Sequence, residues 1–309
     1  MEHKSVLLNE TIDLLDIKAG GIYVDGTLGR GGHSRLLLER LQGGHLYAFD
    51  KDETALQESR EVLKDEMDRV TLFHDDFRNM KADLASVGVE SVDGIMLDLG
   101  VSSPQFDDPE RGFSYRFDAR LDMRMDRSQK LDAYEVVNTY SYEQLTDIFR
   151  RYGEERYAGP IAARIVRERT AAPITTTFRL VELIKASLPD KELRKKGHPA
   201  KQVFQALRIE VNDELGALED CLKDALQLLG HHGRLAVITF HSLEDRVVKN
   251  LFRDYSSAPF VEPRLPLRVT QMEQASFLTV TRKPVVAGSE EQSENNRAHS
   301  AKLRVIERK

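Results

Sequence analysis

Cysteine is almost absent from this 309-residue sequence, which contains only Cys221. A single cysteine excludes an intrachain disulfide and a zinc site built from several thiolates. No apolar stretch approaches the ~20 residues that span a bilayer, and the N-terminus lacks the apolar region of a signal peptide. We expect no catalytic metal, because no ligand spacing relates the histidines His33, His198, His231, His232, His241 and His299. These absences predict a cytoplasmic protein without a membrane segment.

Charge is unevenly distributed along the chain, whose net charge is −6. Residues 1–103 carry 11 basic and 20 acidic side chains, net −9, whereas residues 150–201 carry 13 basic and 6 acidic side chains, net +7. A basic segment in an acidic chain can contact a phosphate backbone. A solvated helical surface gives the same pattern, so charge alone leaves both interpretations open.

The first hundred residues alternate between strand and helix patterns. Strands are expected at 22–26, 45–50, 70–74 and 92–98, with helices at about 32–42, 53–67 and 77–87. Right-handed crossovers place the carboxyl ends of such strands at one sheet edge, where open α/β sheets bind ligands. Acidic residues lie at or just past all four ends: Asp25, Asp50, Asp75, Asp76 and Asp98.

A glycine-rich turn at residues 24–34 joins the first strand to the following helix. Its glycines allow the main chain to approach a ligand, and Asp50 could accept both hydroxyls of a ribose. Ser34 stands where a dinucleotide turn has its third glycine, which counts against a nucleotide-dependent dehydrogenase. The order Asp25-x-Thr27-x-Gly29-x-Gly31 is closer to the turn of S-adenosylmethionine (SAM) enzymes, although a purely structural turn is also possible.

The alternation stops after the fourth strand. Residues 104–200 contain an arginine-rich loop at 111–126 and helix patterns at about 133–139, 142–152, 156–170 and 177–188. One long helix at about 200–229 then leads to strands at 234–241, 277–281 and 303–307. The polar stretch 289–299 predicts a mobile loop, unless its end braces the core. The simplest account is one α/β domain, residues 1–106 and 202–309, interrupted by a helical insert at 107–201.

Several motifs in the remaining sequence occur in the order of one family. They include Asp98-Leu99-Gly100-Val101-Ser102-Ser103-Pro104-Gln105, Glu110-Arg111-Gly112-Phe113-Ser114, Gly153-Glu154-Glu155-Arg156, Phe204-Gln205-Ala206-Leu207-Arg208 and Thr239-Phe240-His241-Ser242-Leu243-Glu244-Asp245-Arg246. Together with the glycine turn and residues 298–304, they make the sequence resemble the bacterial ribosomal small-subunit RNA cytosine-N4 methyltransferase family, also called RsmH or MraW. The resemblance covers nearly the whole chain.

This resemblance implies a Rossmann-like, SAM-dependent class I methyltransferase domain with an inserted all-helical domain that would contact the RNA substrate. It implies methylation of N4 of cytosine 1402 in the 16S rRNA of the small ribosomal subunit. The partner is therefore expected to be that rRNA, with no DNA and no membrane, and the chain could be a monomer or a homodimer. The family's cofactor-binding positions correspond to Gly31, Gly32, His33, Asp50, Phe77, Asp98 and Gln105.

Asp98 is the catalytic residue we expect, since a carboxylate at the fourth strand tip could orient the reacting groups. It could instead bind the amino group of the cofactor. The other positions also have structural interpretations: turn glycines, a helix cap for Asp50 or His33, and a core side chain for Phe77. Further candidates that are equally well explained as structural are Ser102, Ser103, His241 and Asp245.

Two segments of the insert are candidates for RNA contact. Single-stranded RNA requires cations along its backbone and flat side chains on which bases can stack. The segment Arg194-Lys195-Lys196-Gly197-His198 offers cations, and the loop 111–124 interleaves arginines with Phe113, Tyr115 and Phe117. A non-catalytic RNA-binding factor with the same fold would share these features.

Overall fold

The computed structural model describes residues 5–101, 103–258 and 275–309, which belong to two compact units. The α/β unit consists of Met1–Gly100 and Leu215–Lys309, and the helical unit is Val101–Glu214. These boundaries differ from the sequence-based 106/107 and 201/202. The later second boundary arises because a helix at Lys201–Asn212 buries Val203, Phe204 and Leu207 in the core of the helical unit.

The α/β unit contains one seven-stranded sheet. Its strands are β1 (Ile22–Asp25), β2 (His45–Asp50), β3 (Val70–His74), β4 (Val92–Asp98), β5 (Leu229–Thr239), β6 (Phe277–Thr279) and β7 (Lys302–Arg308). The order is β3-β2-β1-β4-β5-β7-β6. Neighbours among β1 to β5 are parallel, and β7 is antiparallel to both β5 and β6. The predicted Rossmann-like α/β fold class is confirmed.

Alternate residues of the central strands pack on opposite faces of this sheet. Tyr23 and Met96 belong to one buried cluster, whereas Val24 and Leu97 belong to the other. A parallel sheet covered on both faces needs such continuous apolar strands. The helices of this unit are α1 (Leu8–Leu15), α2 (Gly32–Arg40), α3 (Glu53–Val62), α4 (Met80–Ser86), α12 (Glu214–Leu228), α13 (Ser242–Ser256) and α14 (Ser289–Glu294).

The helical unit has its own core and seven helices in the described residues. These are α5 (Ser103–Asp107), α6 (Ala133–Thr139), α7 (Tyr142–Arg151), α8 (Ala158–Arg169), α9 (Thr177–Lys185), α10 (Asp190–Leu193) and α11 (Lys201–Asn212). Helix α7 begins at a capping box, in which Ser141 and Gln144 each bond the other's main chain. No helix among the described residues is long and apolar enough to cross a membrane.

Two sequence-based predictions about these elements are wrong. The long helix expected at 200–229 is broken between α11 and α12 at Asp213, whose φ of 46° is left-handed. Aspartate is one of the few residues that adopts this conformation readily, and the break ends the helical unit. The polar stretch 289–299 forms α14 and a 3₁₀ helix at Asn296–Ser300 instead of a loop. Ala298 and Ala301 pack in the sheet core there, which confirms the alternative that the end of this stretch braces the core.

Candidate functional site

The first turn of the α/β unit is organised by a buried carboxylate. Asp25 is 2% exposed, and its oxygens accept hydrogen bonds from the Ser34 hydroxyl at 2.7 Å and the Thr27 N–H at 3.0 Å. Burial raises the pKa of Asp25, although these hydrogen bonds oppose that effect. Asp25 therefore braces the turn from within, and Ser34 supplies a hydroxyl where a dinucleotide turn has a glycine.

Thr27 connects the turn to the tip of β4. Its hydroxyl oxygen accepts a hydrogen bond from the Asp98 N–H at 2.6 Å, while the Leu28 N–H donates to the Phe49 carbonyl at 2.9 Å. These bonds hold the ends of β1, β2 and β4 together. This role of Thr27 was not predicted from the sequence, where Thr27 appears only as a position in the pattern Asp25-x-Thr27-x-Gly29-x-Gly31. The hydroxyl next to the glycines was the available signal.

Asp50 accepts one main-chain hydrogen bond on each carboxylate oxygen. Its Oδ2 accepts from the Gly29 N–H at 2.8 Å, and its Oδ1 accepts from the Asp52 N–H at 2.8 Å. The capping role considered for Asp50 belongs to Asp52, which accepts from the Thr54 N–H. Burial raises the pKa of Asp50 to about 6 despite its two hydrogen bonds. Since each carboxylate oxygen can accept two bonds, Asp50 retains acceptor positions for two hydroxyl groups.

Asp98 and His33 face each other at the same sheet edge. Oδ2 of Asp98 lies 3.9 Å from Nδ1 of His33, and Oδ1 is buried without a hydrogen-bond partner among the described residues. His33 is 7% exposed, with Nε2 3.1 Å from the Val6 carbonyl oxygen. Because a carbonyl can only accept, the hydrogen lies on Nε2, which leaves Nδ1 as an acceptor in the neutral ring. A buried carboxylate oxygen beside this nitrogen is suited to a cationic amino group.

The two glycines of the turn have different surroundings. Gly31 has a φ of 72°, a left-handed conformation that favours glycine, and it precedes the first residue of α2. A Cβ added at Gly32 would lie 2.1 Å from the Ser5 hydroxyl oxygen. The main chain at Gly32 is therefore in close contact with the N-terminal segment of the chain.

Phe77 opens a 3₁₀ helix, Phe77–Asn79, beside the first turn. A Cβ added at Gly26 would lie 3.3 Å from the Phe77 Cβ. Asp76 accepts from the Arg78 N–H at 3.0 Å and forms an ion pair with Lys51 at 3.0 Å, so this strand-tip carboxylate caps the helix. Phe77 is partly buried and lies next to the site.

Gln105 lies in α5 of the helical unit and is 8% exposed. The remaining predicted cofactor positions, Gly31, Gly32, His33, Asp50, Phe77 and Asp98, belong to the α/β unit. Within that unit the structure brings the strand tips and the glycine turn together.

The further candidates have structural contacts. Asp245 accepts hydrogen bonds from Arg304 at 2.7 Å and Lys302 at 3.0 Å. Burial acts to raise the pKa of Asp245, but these cations outweigh it and hold that pKa below its usual value. His241 caps α13 in a reciprocal arrangement with Glu244. Ser102 lies outside the described residues, and α5 begins at Ser103.

Several side chains of the arginine-rich loop of the helical unit are buried or form hydrogen bonds within the loop itself. Arg111 is 7% exposed and donates to the carbonyls of Arg124 and Met125, while Phe113 is 3% exposed. Arg124 forms a two-bond pair with Asp122 at 2.7 and 2.8 Å. The expectation that this whole loop offers cations and stacking rings to RNA is wrong for Arg111, Phe113 and Arg124. Arg111 and Phe113 are buried, and both arginines form hydrogen bonds within the loop.

Other side chains of the helical unit remain exposed. Phe117 and Phe178 are 42% and 43% exposed, and the Thr177 hydroxyl donates to the Phe117 carbonyl at 2.6 Å, which brings their two segments together. Arg116, Arg194 and Lys196 are exposed as well. Lys195 is exposed and pairs with Glu192 at 2.6 Å. Tyr115 stacks on His198 with ring centroids 4.2 Å apart.

Sequence comparison identifies the family. Residues 1–309 match the model of the MraW methylase family. Ribosomal RNA small subunit methyltransferase H proteins of Streptococcus dysgalactiae subsp. equisimilis and Streptococcus pyogenes serotype M4 are each 54% identical, over 99% of this chain and 97% of their own length. Among solved structures, an rRNA methylase from Streptococcus thermophilus is 12% identical, with a TM-score of 0.44 over 100% of this chain and 99% of that one. On the whole-chain family match and the streptococcal relatives, the chain belongs to the MraW methylase family.

Proposed function

We propose that this chain transfers the methyl group of SAM to the exocyclic N4 of cytidine 1402 in 16S rRNA. The observation that carries the proposal is the acceptor-rich edge of the α/β unit. There the Asp50 carboxylate retains acceptor positions for two hydroxyl groups. The buried Oδ1 of Asp98, whose carboxylate faces His33, has no hydrogen-bond partner among the described residues. The streptococcal relatives are named for a small-subunit rRNA methyltransferase, which supports the substrate class.

The residues present fit the proposed methyl donor. A ribose offers two neighbouring hydroxyls, which match the two acceptor positions of Asp50. The α-amino group of the methionine part of SAM is a cation, which suits Asp98 and Nδ1 of His33. Gly31 permits the left-handed turn that leads into α2, and Gly32, which contacts Ser5, is assigned to the cofactor on the family resemblance. Phe77 would pack against an adenine ring. Gln105 completes the set on the basis of family resemblance.

SAM supplies an activated methyl group, so the chain's own residues need to bind, align and accept hydrogen bonds rather than create a leaving group. The N4 lone pair of cytosine is delocalised into its ring, which makes the amine a poor nucleophile. An acceptor that bonds the NH₂ group localises that lone pair and assists removal of a proton. By holding the amino group of SAM, Asp98 is the residue we assign to aligning the donor methyl with N4, and most of the rate is expected to come from that alignment.

The helical unit is assigned to RNA binding in this proposal. A base that is to be methylated must leave its stack, and stacking partners together with cations hold the displaced strand. Phe117 and Phe178 expose large parts of their rings, and exposed charge is supplied by Arg116, which precedes Phe117, and by Lys196. The excess of basic residues over 150–201 supports the same assignment. We place the enzyme in the cytoplasm with its rRNA partner.

Mass spectrometry of small-subunit rRNA tests the proposal. Nuclease fragments that contain position 1402 are compared between cells with and without the gene. We expect N4-methylcytidine at this position only when the gene is present. An unchanged fragment in the deletion strain, or loss of a methyl group at another position, would contradict the proposed substrate.

Complementation then separates catalysis from a purely structural role. Plasmids carry the wild type, Asp98→Ala, or Glu90→Ala as a matched control, since Glu90 is an exposed acid that precedes the opposite end of β4. We expect the modification to return with the wild type and with Glu90→Ala but not with Asp98→Ala. Full restoration by Asp98→Ala would favour a non-catalytic assembly factor.

A further inference from the structure

The N-terminal segment Ser5–Leu7 lies against the glycine turn in a strained conformation. Leu7 has φ 52° and ψ 36°, which is left-handed, and its side chain is fully buried. A branched apolar residue adopts this conformation only where its surroundings enforce it. Such enforced strain is concentrated at functional sites, so the contacts that hold Leu7 are of interest.

Glu291 supplies the acceptor for the strained residue. The Leu7 N–H donates to Oε1 of Glu291 at 2.8 Å, across 284 residues of sequence. The Leu7 carbonyl in turn accepts from the Thr11 hydroxyl at 2.7 Å. The same carbonyl also accepts from the Thr11 N–H at 2.9 Å, so both polar groups of the Leu7 main chain are hydrogen-bonded. Only the bond from Glu291 comes from a distant part of the chain.

The same segment fixes the ring of His33. The carbonyl immediately before Leu7, that of Val6, lies 3.1 Å from Nε2 of His33, whose other nitrogen faces Asp98 at 3.9 Å. A rotation of the main chain at Leu7 would move the Val6 carbonyl and release the imidazole. The conformation of Leu7 therefore sets the position of the carbonyl that lies against Nε2 of His33.

We propose that Glu291 is a positioning residue for the cofactor site, acting through Leu7 and Val6 on His33. By accepting the Leu7 N–H, Glu291 holds the left-handed turn, keeps the hydrogen of His33 on Nε2 and leaves Nδ1 as an acceptor beside Asp98. This inference rests on the proposed function, in which His33 and Asp98 bind the amino group of SAM.

The surroundings of Glu291 suit this task. Glu291 lies in the first turn of α14, and the Gln292 side chain of that helix donates to the Ala287 carbonyl at 2.8 Å. Ala287 and Ala298, on either side of α14, are buried in the same cluster as Val6 and Leu7. The helix is therefore fixed at both ends to the core against which the N-terminal segment packs.

Replacement of Glu291 tests the proposal on the full-length protein. In Glu291→Ala we expect the dissociation constant of SAM, measured by calorimetry at 15 °C, to rise about fivefold to tenfold, because a charge-assisted hydrogen bond is lost. Glu290→Ala is the matched control, since Glu290 is exposed in the same helical turn. A change of less than twofold in Glu291→Ala relative to Glu290→Ala would overturn the proposal.

Nitrogen-15 spectra of the histidine rings give a readout that a purely stabilising contact would not change. The wild type and Glu290→Ala are expected to show His33 as the Nε2–H form only, whereas Glu291→Ala should show a mixture of both tautomers. An unchanged His33 signal in Glu291→Ala would overturn the proposal. This spectrum needs no cofactor, so it tests the positioning even if the wild type failed to bind SAM, a result that would instead contradict the proposed function.

If Glu291→Ala fails to fold, two conservative substitutions of Glu291 test the proposal instead. Glu291→Gln keeps the length and the acceptor oxygen but removes the charge, whereas Glu291→Asp keeps the charge and shortens the reach. We expect the dissociation constant of SAM for Glu291→Gln to lie within about twofold to threefold of the wild-type value. For Glu291→Asp we expect it to be about fivefold higher. The reverse order would mean that Glu291 acts by its charge alone and would overturn the proposal.

Discussion

Acidification is expected to weaken cofactor binding through Asp50. This carboxylate already accepts the N–H groups of Gly29 and Asp52, one on each oxygen, and both oxygens must remain acceptors to bind two ribose hydroxyls. Protonation converts one oxygen into a donor. Burial raises the pKa of Asp50 to about 6. The protein without cofactor therefore holds this proton at a pH where an ordinary aspartate is ionised.

The size of the effect follows from competition between the proton and the cofactor. With a pKa of about 6, Asp50 is ~90% ionised at pH 7 and ~10% ionised at pH 5. If only the ionised form binds, the dissociation constant of SAM is nearly constant above pH 7 and rises about tenfold by pH 5. A ligand that selects the ionised form must also release the proton, and this amounts to about half a proton per binding event at pH 6.

Calorimetry measures both quantities. Titrations at pH 5, 6, 7 and 8 give the dissociation constants, and two buffers with different ionisation enthalpies at pH 6 give the protons released. Asp50→Asn is the control, since it cannot titrate: it should bind weakly at every pH and lose the pH dependence that Asp50 causes. A wild-type dissociation constant that is flat from pH 8 to pH 5, or an equal slope in Asp50→Asn, would refute the assignment of Asp50 as the ribose acceptor.

Three further outcomes are expected. Changing Lys195 and Lys196 to Gln should weaken RNA binding and reduce the slope of log affinity against log salt by about 1.4, with SAM affinity unchanged. Unaltered RNA affinity in a filter-binding assay would exclude these lysines from the interface. Thr27→Val should lower the free energy of unfolding in urea by about 1–2 kcal/mol, because it leaves the Asp98 N–H without its acceptor. An unchanged unfolding midpoint would show that this bond contributes little. Asp245→Asn should lower the free energy of unfolding by about 2 kcal/mol through the weakened contact with Arg304, while methylation by the folded protein persists. Loss of methylation without loss of stability would return Asp245 to the list of catalytic candidates.

The regular part of the fold could be predicted from the sequence because its signals are local. β2, β3 and β4 have the predicted limits, and α6 was predicted at residues 133–139, because buried parallel strands are short apolar runs and amphipathic helices have a fixed period. The break at Asp213 could not be predicted in this way. An aspartate within an amphipathic pattern is compatible with a continuous helix, and only the packing of α11 in the helical unit requires the chain to turn there.

The sequence by itself determined which carboxylates would reach one edge of the sheet, since strand ends and crossover handedness place Asp50 and Asp98 together. The tertiary structure alone decided what each carboxylate does there. Asp25 accepts hydrogen bonds from Ser34 and Thr27, and Asp76 caps a 3₁₀ helix. The structure likewise decided that Arg111, a predicted RNA contact, donates to a carbonyl of its own loop. The bond between Leu7 and Glu291 joins residues 284 positions apart, and no local pattern records it. Hydrogen-bond partners depend on distances of a fraction of an ångström between remote segments, whereas sequence periodicity specifies only which face or edge of an element a residue occupies.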